Sequence, residues 1–190
     1  MTGNDIVDLQ TAKVPGGEKR SRFLNKIFSV EEQKIINSGR VGVWPVWAMK
    51  EAVYKAHHRR FDLPRSFDPK GIKVYIQDIS GNSIIAKAEY LNHHYYGKGV
   101  LTSGYVHLIA TALPQEKLYC EVHNSTFINI KTRFKQVVSK KLGVEEMDLD
   151  IVKDENFIPH LYYRESNLHM PFSISHHGDY AAFSYQLINY

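Results

Sequence analysis

Trp47-Ala48-Met49-Lys50-Glu51-Ala52-Val53-Tyr54-Lys55-Ala56 holds neither Gly nor Pro, and strong helix formers predominate in it. The stretch is predicted as a helix opened by Trp44-Pro45, with the proline suited to a first turn. Ala48, Ala52 and Ala56 fall on one face at i, i+4 and i+8. Small residues on that face let the helix lie close to a neighbouring backbone. Trp47, Glu51 and Lys55 form the row beside it. By spacing alone, Glu51 and Lys55 are a solvated surface pair contributing about 0.2–0.5 kcal/mol. His57, His58, Arg59 and Arg60 close the helix at the negative end of its dipole.

Upstream, residues 3–9 alternate as a short strand, with Asp5, Val7 and Leu9 on one face and Asn4, Ile6 and Asp8 on the other. If the first face is buried, Asp5 needs a partner, because an unpaired buried carboxylate is strongly disfavoured. A metal ion is one solution and an Arg or Lys is the other. Pro15-Gly16-Gly17 marks a turn. Helical stretches follow through residue 37, with Phe23, Leu24, Ile27 and Phe28 as an apolar stripe. Ser29 and Glu32 fit a capping box, so a new helix is expected from Ser29. Lys13, Lys19, Arg20, Arg22 and Lys26 cluster ahead of it, as a solvated face or a docking surface.

Downstream, residues 72–77 and 83–90 alternate as two strands around a turn at 78–82, and 105–113 form a third. Residues 93–97 are expected to be a loop. Its adjacent histidines do not suit a metal, since neighbours on a strand point apart. The second half repeats the order: a helix at 127–142, strands at 148–153 and 157–163, and a last strand at 180–187. Tyr105-Val106-His107-Leu108-Ile109-Ala110 aligns with Tyr180-Ala181-Ala182-Phe183-Ser184-Tyr185 at an offset of 75. These offsets predict an α+β protein of two related α/β lobes, 1–115 and 116–190, in a pseudo-twofold arrangement.

Composition narrows the function. The chain has 190 residues, 43% of them apolar, and no apolar run near the roughly 20 residues of a membrane span. Met1-Thr2-Gly3-Asn4-Asp5 lacks the basic start and apolar segment of a signal peptide. Cys120 is the single cysteine, which excludes an intrachain disulfide and a multi-cysteine zinc site. A cytoplasmic location is the expectation. A net charge of +4 and a pI near 9.0 suggest an anionic partner: nucleic acid, an acidic protein or a phosphorylated small molecule. Ahead of the last strand, Ser173-Ile174-Ser175-His176-His177-Gly178 offers hydroxyls, an imidazole and a Gly bend. It is either a phosphate cradle or a hairpin whose side chains satisfy its own backbone.

Gly3-Asn4-Asp5-Ile6-Val7, Trp47-Ala48-x-Lys50-Glu51-Ala52-x-x-Lys55-Ala56 and Ser173-Ile174-Ser175-His176 stand in this order along the chain. Together they resemble the 4′-phosphopantetheinyl transferase superfamily. Residues 22–29 are similar to the segment that follows the first motif in bacterial holo-acyl-carrier-protein synthases. The chain departs from the small trimeric synthases in length. It departs from the two-lobed surfactin type in having the carboxylate lobe first, and in Val7 where that type often has a further acidic residue.

The resemblance implies transfer of phosphopantetheine from coenzyme A to a serine of an acyl or peptidyl carrier protein, in fatty-acid or secondary-metabolite biosynthesis, with Mg²⁺. By the same resemblance, Asp5 and Glu51 hold the metal, and Glu51 and Lys55 are catalytic. Ser175, His176, Lys50, Lys131 and Arg133 bind the coenzyme, and Lys13, Lys19, Arg20 and Arg22 meet the carrier. No membrane or nucleic-acid partner is implied, and the two lobes in one chain suggest a pseudo-dimeric monomer. A basic nucleic-acid-binding module and a degenerate homologue that binds carriers without modifying them are the rival readings.

Overall fold

A computed structural model describes residues 1–114 and 117–187, without the side chain of Lys19. Helix α3 (Val43–Phe61) is its centre, 19 residues long. Ala48, Met49, Lys50, Ala52, Val53, Ala56 and His57 are all buried on it. Beneath α3 runs β1 (Thr2–Asp8), every residue of which is buried. The contact is as close as the alanine stripe implies. A Cβ on Gly3 would collide with the Ala52 carbonyl oxygen and stand 2.5 Å from the Ala56 nitrogen. Gly at position 3 and Ala at 52 and 56 are therefore one packing device.

Two helices precede α3: α1 (Gly17–Ile27) and α2 (Val30–Asn37). The expected capping box is present, with Ser29 Oγ accepting from the Glu32 N–H and the Glu32 carboxylate accepting from the Ser29 N–H. After α3 come β2 (Lys73–Ser80), β3 (Ser83–Tyr90), β4 (His93–Leu101) and β5 (Tyr105–Thr111). They form one antiparallel sheet in the order β1-β5-β4-β3-β2. The expected loop at 93–97 is strand β4 instead. Its turn is only Leu91-Asn92, both with positive φ of 47° and 63°, the geometry of a tight two-residue hairpin. Leu at the first of these positions gives no turn signal.

The rest of the chain provides β6 (Tyr119–Asn124), α4 (Ile130–Leu142), β7 (Leu149–Lys153), β8 (Pro159–Tyr163), β9 (Ser166–Asn167), β10 (Phe172–His177) and β11 (Tyr180–Tyr185). Their sheets have the orders β10-β11-β6 and β7-β8-β9. Two apolar clusters result. One gathers around α3 from Val7 to Ala110; the other gathers around α4 and includes Phe134, Phe172, Phe183 and Tyr185. The architecture is α+β. No helix among the described residues is long and apolar enough to cross a membrane.

The two clusters meet along β1, whose outer edge lies against β10. The Asn4 N–H donates to Ser173 Oγ at 3.0 Å, and the Asp8 N–H donates to His177 Nδ1 at 3.1 Å. Strand alternation aims Ser173, Ser175 and His177 at β1, and Phe172, Ile174 and His176 at the opposite face. The β1 edge is thus satisfied by side chains in place of a further strand.

Candidate active site

Asp5 and the α3 row of Glu51 and Lys55 come together where β1 crosses under α3. Lys55 Nζ pairs with Asp5 Oδ1 at 2.7 Å and also donates to the Asn4 carbonyl at 3.1 Å. This replaces the expected Glu51–Lys55 surface pair. The ammonium turns to the deeper carboxylate because Asp5 is only 8% exposed and has no other cationic partner in contact among the described residues. Burial raises the pKa of Asp5, with Lys55 and then His177 acting against that rise. Burial also raises Glu51; Lys55 opposes, and the nearby Asp5 charge adds to the increase. The two carboxylates therefore share one field, in which a single lysine undercompensates two negative charges.

The register places more of the site. Asn4 meets Ser173 and Asp8 meets His177, so β1 and β10 run the same way. Arg59 stacks over the Phe172 ring at 5.0 Å and donates to the Pro159 carbonyl at 2.8 Å, pinning the end of α3 to β10 and β8. From Arg59 back to Glu51 the helix advances about 12 Å, and from Phe172 to His176 the strand advances about 13 Å. Arg59 shares its helix row with Glu51 and Lys55, and Phe172 shares its strand face with Ile174 and His176, so the Arg59–Phe172 contact links the two rows at one end. The carboxylates thus lie where β1 meets α3, and the exposed His176 imidazole lies on the face of β10 turned away from β1.

His176 shares its cross-strand row with Ala181 and His123, and the next row holds Ile174, Phe183 and Glu121. Glu121 receives a two-pronged contact from Arg133, at 2.9 and 3.2 Å, and one from His123 at 2.6 Å. Arg133 therefore reaches the sheet face that carries His176. Lys131 is exposed in the first turn of α4, whose N-cap is Asn129.

Two expected coenzyme ligands are elsewhere. Lys50 is fully buried, turned about 100° around α3 from Glu51. Its Nζ pairs with Glu32 at 2.8 Å, donates to the Pro69 carbonyl at 2.8 Å and also donates to the Ile72 carbonyl. All three ammonium donors are engaged, so none is left for a phosphate. Burial lowers its pKa and Glu32 holds it up. Ser175 is 4% exposed and donates its hydroxyl proton to Asn4 Oδ1. Its side chain belongs to the junction between the two apolar clusters. Of the expected carrier contacts, Lys13 and Arg22 are exposed and Arg20 is half-buried. The side chain of Lys19 lies outside the described residues.

Residues that motif reasoning passed over also converge here. Asn4 bridges Ser173 and Ser175, and His177 stands close enough to Asp5 to influence its charge. The signal for them was period two, which puts Ser173, Ser175 and His177 on one face. No group of three or more metal-ligating side chains occurs among the described residues, so a cation here would have two protein carboxylates. A concavity of about 580 Å³ lies away from this site, on the open face of β2–β4, lined by Tyr75, Lys87, His94 and Tyr96 among others.

A family model described as the 4′-phosphopantetheinyl transferase superfamily matches residues 1–110. The chain belongs to that superfamily. The matched span holds Asp5, Glu51 and Lys55 together with α3 and nearly all of the five-stranded sheet; β10 and α4 lie beyond it. Membership makes the chain a transferase of the phosphopantetheinyl type. Neither the curated proteins nor the solved structures gave a match.

Proposed function

We propose that this 4′-phosphopantetheinyl transferase moves phosphopantetheine from coenzyme A to a serine of an acyl or peptidyl carrier protein, with Mg²⁺. One observation carries the reading: Asp5, Glu51 and Lys55 converge where β1 crosses under α3, within the matched span. Two adjacent carboxylates of raised pKa suit a hard divalent cation, which prefers carboxylate, phosphate and water oxygens. Asp5 and Glu51 would hold it. When bound, the ion supplies neutralisation of charge on the pyrophosphate oxygens.

The carrier's serine oxygen forms the new bond to the phosphorus of the phosphopantetheine arm, and the bond to the 3′,5′-ADP oxygen breaks. Glu51 receives the serine proton, a role suited to a carboxylate whose environment raises its proton affinity. Lys55 sets its positive charge beside the leaving group. On the second half of the chain, His176, Lys131 and Arg133 receive the nucleotide end of coenzyme A. His176→Ala is expected to raise KM for coenzyme A more than it lowers kcat; the reverse pattern would place His176 in the chemistry.

Lys13, Arg20 and Arg22 form the surface for an acidic carrier. Raising salt is expected to weaken carrier binding much more than coenzyme A binding, because exposed charges are screened within about 10 Å at 0.1 M salt. Equal sensitivity of both would remove these residues from carrier recognition.

We also read the halves, 1–115 and 116–190, as related lobes of a pseudo-dimeric monomer; residues 115 and 116 lie outside the described residues. Register supports this. Asp5 stands opposite Leu108, and Glu121 stands opposite Phe183, at the sequence offset of 75. The test of function is mass spectrometry of apo-carriers incubated with coenzyme A, with and without Mg²⁺. A mass gain of one phosphopantetheine group that requires the metal is expected. No gain on any acyl or peptidyl carrier would refute the reading.

A further inference from the structure

Asp8 lies on β1 three residues beyond Asp5 and on the opposite face of the strand. It is 1% exposed, yet it touches no cation among the described residues. Its Oδ1 accepts from the Gln10 N–H at 2.8 Å, and its Oδ2 accepts from the Asp179 N–H at 3.0 Å. The Asp179 hydrogen bond is the main cause that lowers the Asp8 pKa. Asp179 follows Gly178 in the turn that joins β10 to β11, immediately after His176 and His177. The same residue holds that turn a second time, because the Asp8 N–H donates to His177 Nδ1.

The contact has no slack. Gly178 has φ of +53°, and a Cβ there would collide with Asp8 Oδ2 and stand 2.7 Å from Thr11 Oγ1. Beyond the turn the chain of contacts continues. The Asp179 carbonyl accepts from the Ser125 N–H at 2.8 Å, and the Gly178 carbonyl accepts from Ser125 Oγ at 3.2 Å. Ser125 begins the loop that leads to Asn129, the N-cap of α4, and so to Lys131 and Arg133. One strand thus carries a carboxylate for the reacting end of the site and a second that fixes the segment bearing His176.

We propose that Asp8 is a positioning residue: it latches the Gly178-Asp179 turn to β1 and so sets the distance between the Asp5–Glu51 carboxylates and the coenzyme-binding wall around His176. Asp8 contacts no reacting atom. It acts by limiting where the turn, and through Ser125 the start of α4, stand relative to β1. A charged acceptor suits this task, since hydrogen bonds from backbone N–H groups to an ionised carboxylate are stronger than neutral ones.

This inference rests on the coenzyme-binding reading above. The test measures binding of coenzyme A and of 3′,5′-ADP by calorimetry without carrier, then steady-state transfer. Asp8→Ala is expected to weaken both ligands by tenfold or more and to raise KM for coenzyme A in step, with KM for the carrier unchanged. Ser125→Ala removes the hydroxyl bond to the Gly178 carbonyl, leaves the Ser125 N–H bond to the Asp179 carbonyl and keeps the buried carboxylate, so it remains informative if Asp8→Ala does not fold. It is expected to shift coenzyme affinity in the same direction by two- to fivefold. A lower melting temperature with unchanged coenzyme affinity in both variants would make the latch structural only. Equal loss toward carrier and coenzyme would also overturn it. Wild-type protein that binds neither ligand would instead refute the functional reading on which the latch rests.

Discussion

Glu51→Gln is expected to abolish Mg²⁺-dependent transfer while making the metal-free protein more stable. The loss in kcat should be on the order of 10²–10³ or greater, since the amide can neither take the serine proton nor hold a cation as a carboxylate does. The gain in stability follows from the field around Glu51. Burial and Asp5 raise the pKa of Glu51 in the folded state above its unfolded value. As pH rises from the unfolded pKa to the folded one, the unfolded chain gives up its proton first. Stability therefore falls across that window and stays lower above it. The amide of the variant carries no charge and escapes this cost. Relief of such strained charges typically contributes about 0.5–2 kcal/mol, and each kcal/mol shifts the melting temperature of a chain this size by about 2–4 °C. Mg²⁺ should raise the melting temperature of the wild type and leave the variant unmoved. Calorimetric scans at pH 7 with and without Mg²⁺, beside the mass-spectrometric transfer assay, measure both effects. Near-normal transfer by the variant, or a lower melting temperature without metal, would refute the assigned role of Glu51.

Much of this site was legible because it depends on period and size. The i, i+4 alanine row implied close approach to another backbone, and Gly3 beneath Ala52 and Ala56 is that approach. Alternation in residues 3–9 put Asp5 on the face that meets α3, and the capping box at Ser29 marked a helix start. Two kinds of information were not local. The partner of Lys55 was decided by depth: Asp5 lies 50 residues away in sequence and outcompetes Glu51, one helical turn away, because it is the more buried carboxylate. The direction of β10 side chains was the other. Ser175 and His176 are neighbours in the motif but occupy opposite faces of the strand, so only the imidazole lies on the face opposite the β1 edge. The hairpin at Leu91-Asn92 stayed hidden because its first residue carries no turn signature.

Lys50 offers the sharpest contrast between motif and structure. It sits beside Glu51 in the motif, yet a step of one residue on a helix turns it about 100° away, into the core. There its ammonium faces Glu32, whose carboxylate also accepts from the N–H groups of Ser29 and Val74, at 2.8 Å each. The pair ties α2, α3 and β2 together, and the carbonyls of Pro69 and Ile72 fix the chain leading into β2. Lys50→Ala leaves the Glu32 carboxylate buried without its cation, and such a break costs about 3–5 kcal/mol. The melting temperature should fall by roughly 6–20 °C at about 2–4 °C per kcal/mol. Removing both charges, as in Glu32→Gln with Lys50→Met, keeps an acceptor for the Val74 N–H and fills the space of the lysine stem. The double variant is therefore expected to recover part of the loss, the coupling expected of a buried ion pair, while the Pro69 and Ile72 carbonyls stay without their donor. At temperatures where they are folded, both variants should bind coenzyme A as the wild type does. Tenfold weaker coenzyme binding with unchanged melting would mean that Lys50 serves the phosphates. A lower melting temperature with intact affinity would mean that the motif's first lysine holds α3 in place, so that Glu51 and Lys55 can face Asp5.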